Sequence, residues 1–472
     1  MPYNVRMVST FPPRRCGIGT FTRDLANALV HFTGEVGHIR IAAIDREGHS
    51  YDIPVDLVIN QDEPASWREN TGHIIHRARE ASYPTVVMLQ HEYGLDPDEE
   101  GNPGRGKNFV RMARTFKNEG LMTFSYLHTV LKDPDDHQKT VIQELAEHCD
   151  RLLVTTDSAI DILEANYGIP RGSAKHVDHG IRMQNPSLYN RMEIKKRFEF
   201  GEQFLLTTLG LRSPGKGIHY GIRAFGRFLQ ESLTEEQRRY IVYLVAGQYH
   251  PDFVKHEGGK PYREDKKRIE SALDEYDLKW CEVSELGEKN TEEYDVVFLN
   301  TFLEESTLMD LYGATNAMIL PYQNMQQISS GILADTLGAG RVAIATKFLY
   351  ALELVHPRNH TGEGLALGPH SRGILVDPGE PSVEQIAQAL DFIVFNKNER
   401  LEMERRAHER GHQMGWRNTA WEILHTIAYM QERRHLTTGR GVDFERQKQS
   451  VFRKRNDELL RRRLDQHGPR SG

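Results

Sequence analysis

A loop near the middle of the chain carries residue types that suit a diphosphate. Residues 210–217 read Gly-Leu-Arg-Ser-Pro-Gly-Lys-Gly, after an apolar run at 203–209 and before a helical pattern that starts at Ile218. A glycine-rich turn between a strand and a helix exposes backbone N–H groups at the positive end of the helix, and Lys216 adds a full charge. The pattern predicts a phosphate-binding loop; the alternative is a lysine that is only solvated.

A second turn, at 329–332, has the same potential because it precedes a predicted helix from about Leu333. The first N–H groups of that helix could receive phosphate oxygens. A serine of the turn could also serve only as the helix cap, and the two roles are compatible. The donor-side candidates in this turn are Ser329, Ser330, Gly331 and Ile332.

A third turn lies near the N-terminus, where residues 10–20 join a predicted strand at 5–9 to a predicted helix at 21–31. Gly17 and Gly19 could let the backbone approach a ligand closely, because glycine has no Cβ. The alternative is a glycine turn that only the topology requires.

Several histidines follow predicted strands, and ligands of open α/β sheets bind at the carboxyl ends of the strands. His128 ends the run at 122–128 and is a candidate for contact with substrate. The group His91, Glu92 and Tyr93 follows the run at 85–90 and is predicted on the acceptor side, with a buried structural pair as the alternative. His250 follows the run at 240–246 and is a candidate for contact with a nucleotide.

The elements that position these residues alternate between short apolar runs and helical patterns. The predicted strands of the first half lie at 5–9, 39–44, 85–90, 122–128 and 152–156, and those of the second half at 203–209, 240–246, 296–299, 317–320, 342–346 and 373–376. Strands that alternate with helices predict parallel pairing through helical crossovers. The fold class is therefore α/β, with two Rossmann-like αβα domains that face each other across a cleft. The predicted divisions are an acceptor-side domain (1–195), a nucleotide-binding domain (196–415), an amphipathic helix that closes back on the first domain (416–436) and a charged tail (437–472).

Composition limits the functions that this chain could have. The formal net charge of the 472 residues is -7, which gives no whole-chain attraction to nucleic acid. The three cysteines are far apart and form no Cys-x-x-Cys pair, which favours a reducing, cytoplasmic location without a zinc site. No apolar stretch is long enough to cross a bilayer. The basic tail predicts a solvated helical appendage, with weak contact to a membrane surface or a partner helix as the alternative.

These motifs together resemble the family 4 retaining glycosyltransferases, whose second domain opens with Gly-Arg-Leu-x-x-x-Lys-Gly. Lys216 falls in register with the family's phosphate-binding lysine, whereas Arg212 stands one residue after the Arg position. The family's Glu-x7-Glu signature corresponds to Gln327 and Asp335, which the resemblance implies bind the hexose and the ribose through hydrogen bonds to hydroxyl groups. The resemblance also implies the GT-B fold and places His128 beside the transferred sugar.

The fragments at 11–17, 90–94, 127–131, 210–217 and 327–331 are similar, more narrowly, to a mannosyltransferase-like bacterial subgroup. The resemblance implies retaining transfer of a hexose from a nucleotide sugar, with GDP-mannose as the donor and a carbohydrate or glycoconjugate as the acceptor. The catalytic group would be His128, Lys216 and Arg212, and Gly217 would join the donor-binding residues. No metal or other cofactor is implied. The alternatives are a phosphate-dependent sugar phosphorylase and a non-catalytic protein that binds sugar nucleotides; the oligomeric state stays open.

Overall fold

The computed structural model describes residues 2–97, 106–184, 190–356 and 362–437, and its first sheet is formed by residues 3–176. All seven strands of this sheet are parallel, in the order β3-β2-β1-β4-β5-β6-β7. The strands are β1 (Tyr3–Ser9), β2 (Val36–Asp45), β3 (Val55–Asn60), β4 (Thr85–His91), β5 (Met122–Leu127), β6 (Arg151–Val154) and β7 (Ala174–His176). The helices that connect them are α1 (Gly17–Val30), α2 (Pro64–Glu80), α3 (Asn108–Asn118), α4 (Asp136–His148) and α5 (Asp157–Tyr167).

A short helix, α6 (Arg191–Arg197), precedes a second parallel sheet of seven strands in the order β10-β11-β9-β8-β12-β13-β14. These strands are β8 (Phe204–Leu209), β9 (Ile241–Ala246), β10 (Trp280–Val283), β11 (Val296–Leu299), β12 (Ala317–Leu320), β13 (Val342–Thr346) and β14 (Gly373–Val376). The accompanying helices are α7 (Ile218–Ser232), α8 (Glu235–Arg238), α9 (Pro251–Lys255), α10 (Lys260–Glu275), α11 (Glu305–Ala314), α12 (Gly331–Gly338), α13 (Leu349–Leu354), α14 (Pro381–Phe395), α15 (Lys397–Gln413) and α16 (Trp416–Thr437).

The strand order reverses beside the first strand of each sheet. In the first sheet β1 lies between β2 and β4, and in the second β8 lies between β9 and β12. Such a switch point leaves a crevice at the carboxyl ends of the strands, because the connections on its two sides run in opposite directions. The loops that follow β1 and β8 are residues 10–16 and 210–217, so the fold places two of the predicted ligand-binding turns at these crevices.

The two parallel sheets confirm the predicted fold class, while the predicted domain boundaries at 195 and 415 stay predictions. The chain divides into a compact unit, Met1–Trp421, and a second unit that begins at Glu422. Within the first unit, Trp416 at the start of α16 lies 5.0 Å from the Phe21 ring of α1. Residues 438–472, which contain the predicted basic tail, lie outside the described residues. The role of this tail therefore stays a prediction. No helix in the described part of the chain is long and apolar enough to span a membrane.

The segment that leads into the second sheet contains a buried lysine. Lys195 on α6 is 2% exposed and donates to the backbone oxygen of Gln203 at 2.7 Å. Burial, together with the charges of Arg191, Arg341 and Arg400, lowers its pKa to about 7. An unfolded lysine has a pKa near 10.4, so the unfolded chain binds more protons between these two values. The contribution of Lys195 to the free energy of unfolding therefore rises as the pH increases from about 7 to about 10.

We expect Lys195→Met to remove this part of the pH dependence. Urea unfolding of wild type and variant at pH 7, 8 and 9 measures the free energy difference between them. One proton of difference gives a limiting slope of about 1.4 kcal/mol per pH unit, with the wild type gaining stability relative to the variant as the pH rises. Lys196→Met is the matched control, because Lys196 is the exposed neighbour on the same helix. A difference between wild type and Lys195→Met that stays constant with pH would contradict the lowered pKa.

Candidate active site

The loop at 210–217 closes tightly at its end. Residues Pro214–Lys216 form one turn of 3-10 helix, and Gly217 has a φ of 61° before α7 begins. A Cβ on Gly217 would lie 2.1 Å from the carbonyl oxygen of Pro321, so both the φ angle and this close approach require glycine. The ammonium of Lys216 lies 3.7 Å from the centre of the Tyr322 ring, in the segment after β12. This cation–π contact holds the charge at the carboxyl ends of β8 and β12.

The turn before α12 lies next to this loop. Ser330 is the N-cap of α12, with its hydroxyl oxygen accepting from the N–H of Leu333 at 3.3 Å, and it is 6% exposed. Ile332 contacts Gly210, because a Cβ on Gly210 would lie 3.3 Å from the Ile332 side chain. The N-terminus of α12, with Gly331 as its first residue, and the Lys216 loop therefore present positive potential to the same region.

Gln327 stabilises the turn that leads to α12. Its side-chain N–H donates to the backbone oxygen of Ser329 at 2.6 Å, which leaves its amide oxygen as an acceptor. Asp335 lies one turn into α12 and accepts from the backbone N–H of Arg182 at 3.2 Å. Burial raises the pKa of Asp335 to about 7, although the nearby Arg182 side chain lowers it. The two acid positions of the predicted signature thus occupy one turn and its helix, and their predicted roles toward a sugar stay predictions.

His128 lies at the carboxyl end of β5 inside an aromatic group. Its ring centre is 4.9 Å from that of Phe21 and 5.3 Å from that of Tyr126, and its Nε2 is 2.8 Å from the side-chain oxygen of Gln90. Burial lowers the pKa of His128 to about 3, and the neighbouring His179 and His91 act in the same direction as smaller causes. The imidazole is therefore neutral at physiological pH and could accept or donate a hydrogen bond without carrying charge.

His179 joins this aromatic group to the start of α12, and the sequence patterns did not single it out. Its ring centre is 5.2 Å from that of Phe21 and 5.7 Å from that of Trp416. A Cβ on Gly331 would lie 3.6 Å from Cε1 of His179. The first residue of α12 therefore faces a histidine from the first half of the chain, and the groups around Lys216 and His128 belong to one site.

The predicted N-terminal glycines differ in what surrounds them. A Cβ on Gly19 would lie 3.4 Å from the backbone of Phe11, so Gly19 packs inside the protein. A Cβ on Gly17 would meet no atom within 4 Å. Gly17 is the first residue of α1, after the N-cap Cys16, whose sulfur accepts from the N–H of Gly19 at 3.3 Å. The protein itself leaves the space beside Gly17 open, as a ligand site requires.

The predicted acceptor-side group is packed against protein. His91 is 1% exposed, with its ring 5.6 Å from that of Phe109, and burial lowers its pKa to about 3. Glu92 accepts from the N–H of Tyr93 at 2.9 Å and from the hydroxyl of Thr129 at 2.6 Å. Burial raises the pKa of Glu92. The strand-end position of His91 directs its ring into the core instead of the crevice, and the contact of this group with an acceptor stays a prediction.

Arg212 lies in a side cavity of about 320 Å³ in the second half of the chain. Its guanidinium is 4.4 Å from the centre of the Tyr249 ring and donates to the side chain of Asn300, and the residue is 6% exposed. A parallel bridge joins Arg212 to Tyr249, so the backbone is extended there. His250 follows, and its N–H donates to the carbonyl oxygen of Arg212 at 3.0 Å. Arg212 and Lys216 thus have different partners, and a shared phosphate stays a prediction.

Direct contacts between the two halves hold the site together. Ile328, from the turn before α12, is 1% exposed and packs in the core of the first sheet, and its carbonyl oxygen accepts from the hydroxyl of Thr155. The carboxylate of Glu353 accepts from the N–H groups of Asp157 and Ser158 at 3.0 and 2.7 Å, where it caps α5. Within the described ranges, no group of three His, Cys, Asp or Glu side chains is placed to hold a metal ion.

The fold is similar to those of several solved structures, while no family model and no curated protein sequence matches the chain. The HepE protein of Anabaena in complex with UDP has a TM-score of 0.63 at 13% identity, over 90% of this chain and 100% of that one. A sucrose-phosphate synthase from Thermosynechococcus elongatus has a TM-score of 0.65 at 14% identity, over 91% and 99% of the two chains. An Escherichia coli structure with bound UDP-2-fluoro glucose has a TM-score of 0.60 at 10% identity, over 90% and 98%. These likenesses establish the GT-B architecture of the chain.

Proposed function

We propose that this chain is a retaining hexosyltransferase that moves a hexose from a nucleotide sugar to a carbohydrate or glycoconjugate acceptor. The observation that carries the proposal is the meeting of Lys216, the N-terminus of α12 and two neutral histidines from segments that follow strands of both sheets. The first two supply positive potential for a diphosphate, and the histidines supply uncharged groups for a sugar.

In the proposed reaction the acceptor hydroxyl attacks the anomeric carbon on the face that the diphosphate leaves. The bond from the anomeric carbon to the acceptor oxygen forms as the bond to the diphosphate oxygen breaks, and the hydroxyl proton moves to that phosphate. Lys216 and the N–H groups of Gly331 and Ile332 stabilise the charge that develops on the leaving oxygen. A protein nucleophile is not required, and fixed positive charge can serve where other enzymes use a metal. Glycosyl transfer with retention has been studied on a trehalose-6-phosphate synthase whose solved structure has a similar fold.

The donor-binding group in this proposal surrounds the diphosphate from both halves of the chain. Gly17 lets it approach α1, and Gln327 and Asp335 accept from hydroxyl groups of the donor. Arg212 could join this group by exchanging Asn300 for a phosphate oxygen. For the hexose we propose mannose, carried by GDP, from the subgroup resemblance. The solved neighbours hold UDP and a UDP-glucose analogue, which makes uridine the competing nucleoside.

A panel of nucleotides and nucleotide sugars tests the proposal. Thermal shift with GDP, UDP, ADP, GDP-mannose and UDP-glucose is expected to show stabilisation by one base class, since a ligand that binds only the folded state raises the melting temperature. The sugar nucleotide of that class is then expected to release its diphosphate in the presence of acceptor sugars, with and without EDTA. Phosphate-dependent cleavage of a disaccharide without nucleotide would identify a phosphorylase instead. Tight binding without turnover would identify a non-catalytic protein.

A further inference from the structure

We propose that His179 binds a hydroxyl group of the transferred sugar through its Nε2 atom. The inference rests on the proposed function, because it assigns His179 to the donor site. The ring is fixed in place by Phe21 and Trp416, which lie on two different helices at 5.2 and 5.7 Å between ring centres. Phe21 and Trp416 are 5.0 Å apart, so the three rings form a triangular cluster. Packing in this cluster leaves the His179 ring little freedom to turn, so the direction of its polar atoms is defined by the fold.

The hydrogen bond at Nδ1 fixes the tautomer. Nδ1 of His179 is 2.7 Å from the carbonyl oxygen of Gly180, and a carbonyl oxygen can only accept. Nδ1 therefore carries the proton in the neutral ring, and Nε2 presents a lone pair. Burial lowers the pKa of His179 to about 4, so the ring stays neutral at physiological pH. Among the residues that the structure describes, none is hydrogen-bonded to Nε2.

The surroundings of Nε2 indicate which chemical group it binds. A Cβ on Gly331 would lie 3.7 Å from Nε2 and 3.6 Å from Cε1, so this edge of the ring faces the first residue of α12. A lone pair repels the oxygens of an ionised phosphate but accepts readily from a hydroxyl group. The diphosphate would lie on the N–H groups of α12, and the nearest hydroxyl donors on a nucleotide sugar belong to the hexose. His179 therefore recognises a sugar hydroxyl beside the phosphate.

Deoxygenated donors test this assignment. UDP-glucose and GDP-mannose, each with its 2-, 3-, 4- and 6-deoxy forms, are assayed for diphosphate release with wild type, His179→Phe and His179→Gln. The Phe variant keeps a ring packed against Phe21 and Trp416 but has no acceptor, whereas Gln can place an amide oxygen near the Nε2 position. We expect His179→Phe to lower kcat/KM for the parent donor about tenfold, the usual effect of one neutral hydrogen bond, and His179→Gln to restore part of it.

The decisive result is the dependence on one hydroxyl. With wild type, one of the deoxy donors is expected to have a kcat/KM about tenfold below that of its parent donor. With His179→Phe, the same deoxy donor and its parent are expected to have equal kcat/KM. The proposal would be overturned if every deoxy donor lost the same factor of kcat/KM, relative to its parent donor, in His179→Phe as in wild type. A merely structural role for His179 makes no distinction between hydroxyl groups. A wild-type protein that turns over neither parent donor contradicts the proposed function itself, so the two failures are distinct. An unchanged melting temperature for both variants checks that the fold is intact.

Discussion

Replacement of Lys216 by Ala is expected to lower kcat for diphosphate release about 100- to 1000-fold, which is the usual effect of removing one group that stabilises charge in a transition state. The ammonium is held 3.7 Å from the centre of the Tyr322 ring, in a loop whose end is fixed by Gly217. The charge is therefore oriented before the reaction begins, so the transition state requires no reorganisation of this side chain. Steady-state assays with the donor found in the nucleotide panel measure the effect, and thermal unfolding measures stability.

Lys289→Ala is the matched control for this experiment. Lys289 is also a lysine beside a tyrosine ring, with its ammonium 5.8 Å from the centre of the Tyr294 ring, but it lies between β10 and β11. Loss of a lysine–tyrosine contact there should change stability slightly and leave turnover unchanged. If purified, folded Lys216→Ala retained the turnover of wild type, the phosphate role of the loop would be wrong.

The sequence predicted the interior of both sheets but missed three of their edges. The strands without a predicted counterpart are β3, β7 and β10, and each is the outermost strand on its side of a sheet. Their residues alternate between buried and accessible positions or are mostly accessible, whereas central strands such as β9 are buried throughout. A parallel strand in the middle of a sheet is covered on both faces and reads as a continuous apolar run. The edge strands β3, β7 and β10 lack this signal, whereas the fourth edge strand, β14, is buried throughout.

The site could be predicted only where its residues share a local motif. The loop at 210–217 and the turn at 329–332 contain their own glycines and capping serines, so their strand-to-helix geometry follows from neighbouring residues. His179 has no such motif: it acquires its neighbours because the segment after β7 brings its ring against Phe21 of α1 and because the turn before α12 packs on the first sheet. The surroundings of Arg212 could not be predicted from the local sequence either. One residue of displacement in an extended segment reverses the direction of a side chain, and the structure places this guanidinium on Tyr249.

Replacement of Gly17 by Val is expected to lower kcat/KM for the donor about 100-fold while leaving the melting temperature unchanged. A Cβ at this position would meet no protein atom within 4 Å, so the protein does not need glycine here. If the diphosphate approaches the start of α1, the added carbons occupy space that the ligand requires, and a displacement of about 1 Å in a reacting group can cost about 100-fold in rate. Turnover assays and thermal unfolding separate the two effects.

Two further glycines make the interpretation of Gly17→Val specific. Gly34 also has open space around its Cβ position but lies in the connection between α1 and β2, so Gly34→Val should preserve both stability and activity. Gly217→Ala should lower the melting temperature, because its Cβ would lie 2.1 Å from the carbonyl oxygen of Pro321. A Gly17→Val protein with wild-type kinetics would show that the opening beside α1 does not receive the donor. The diphosphate would then be bound from the second sheet alone, by Lys216 and α12.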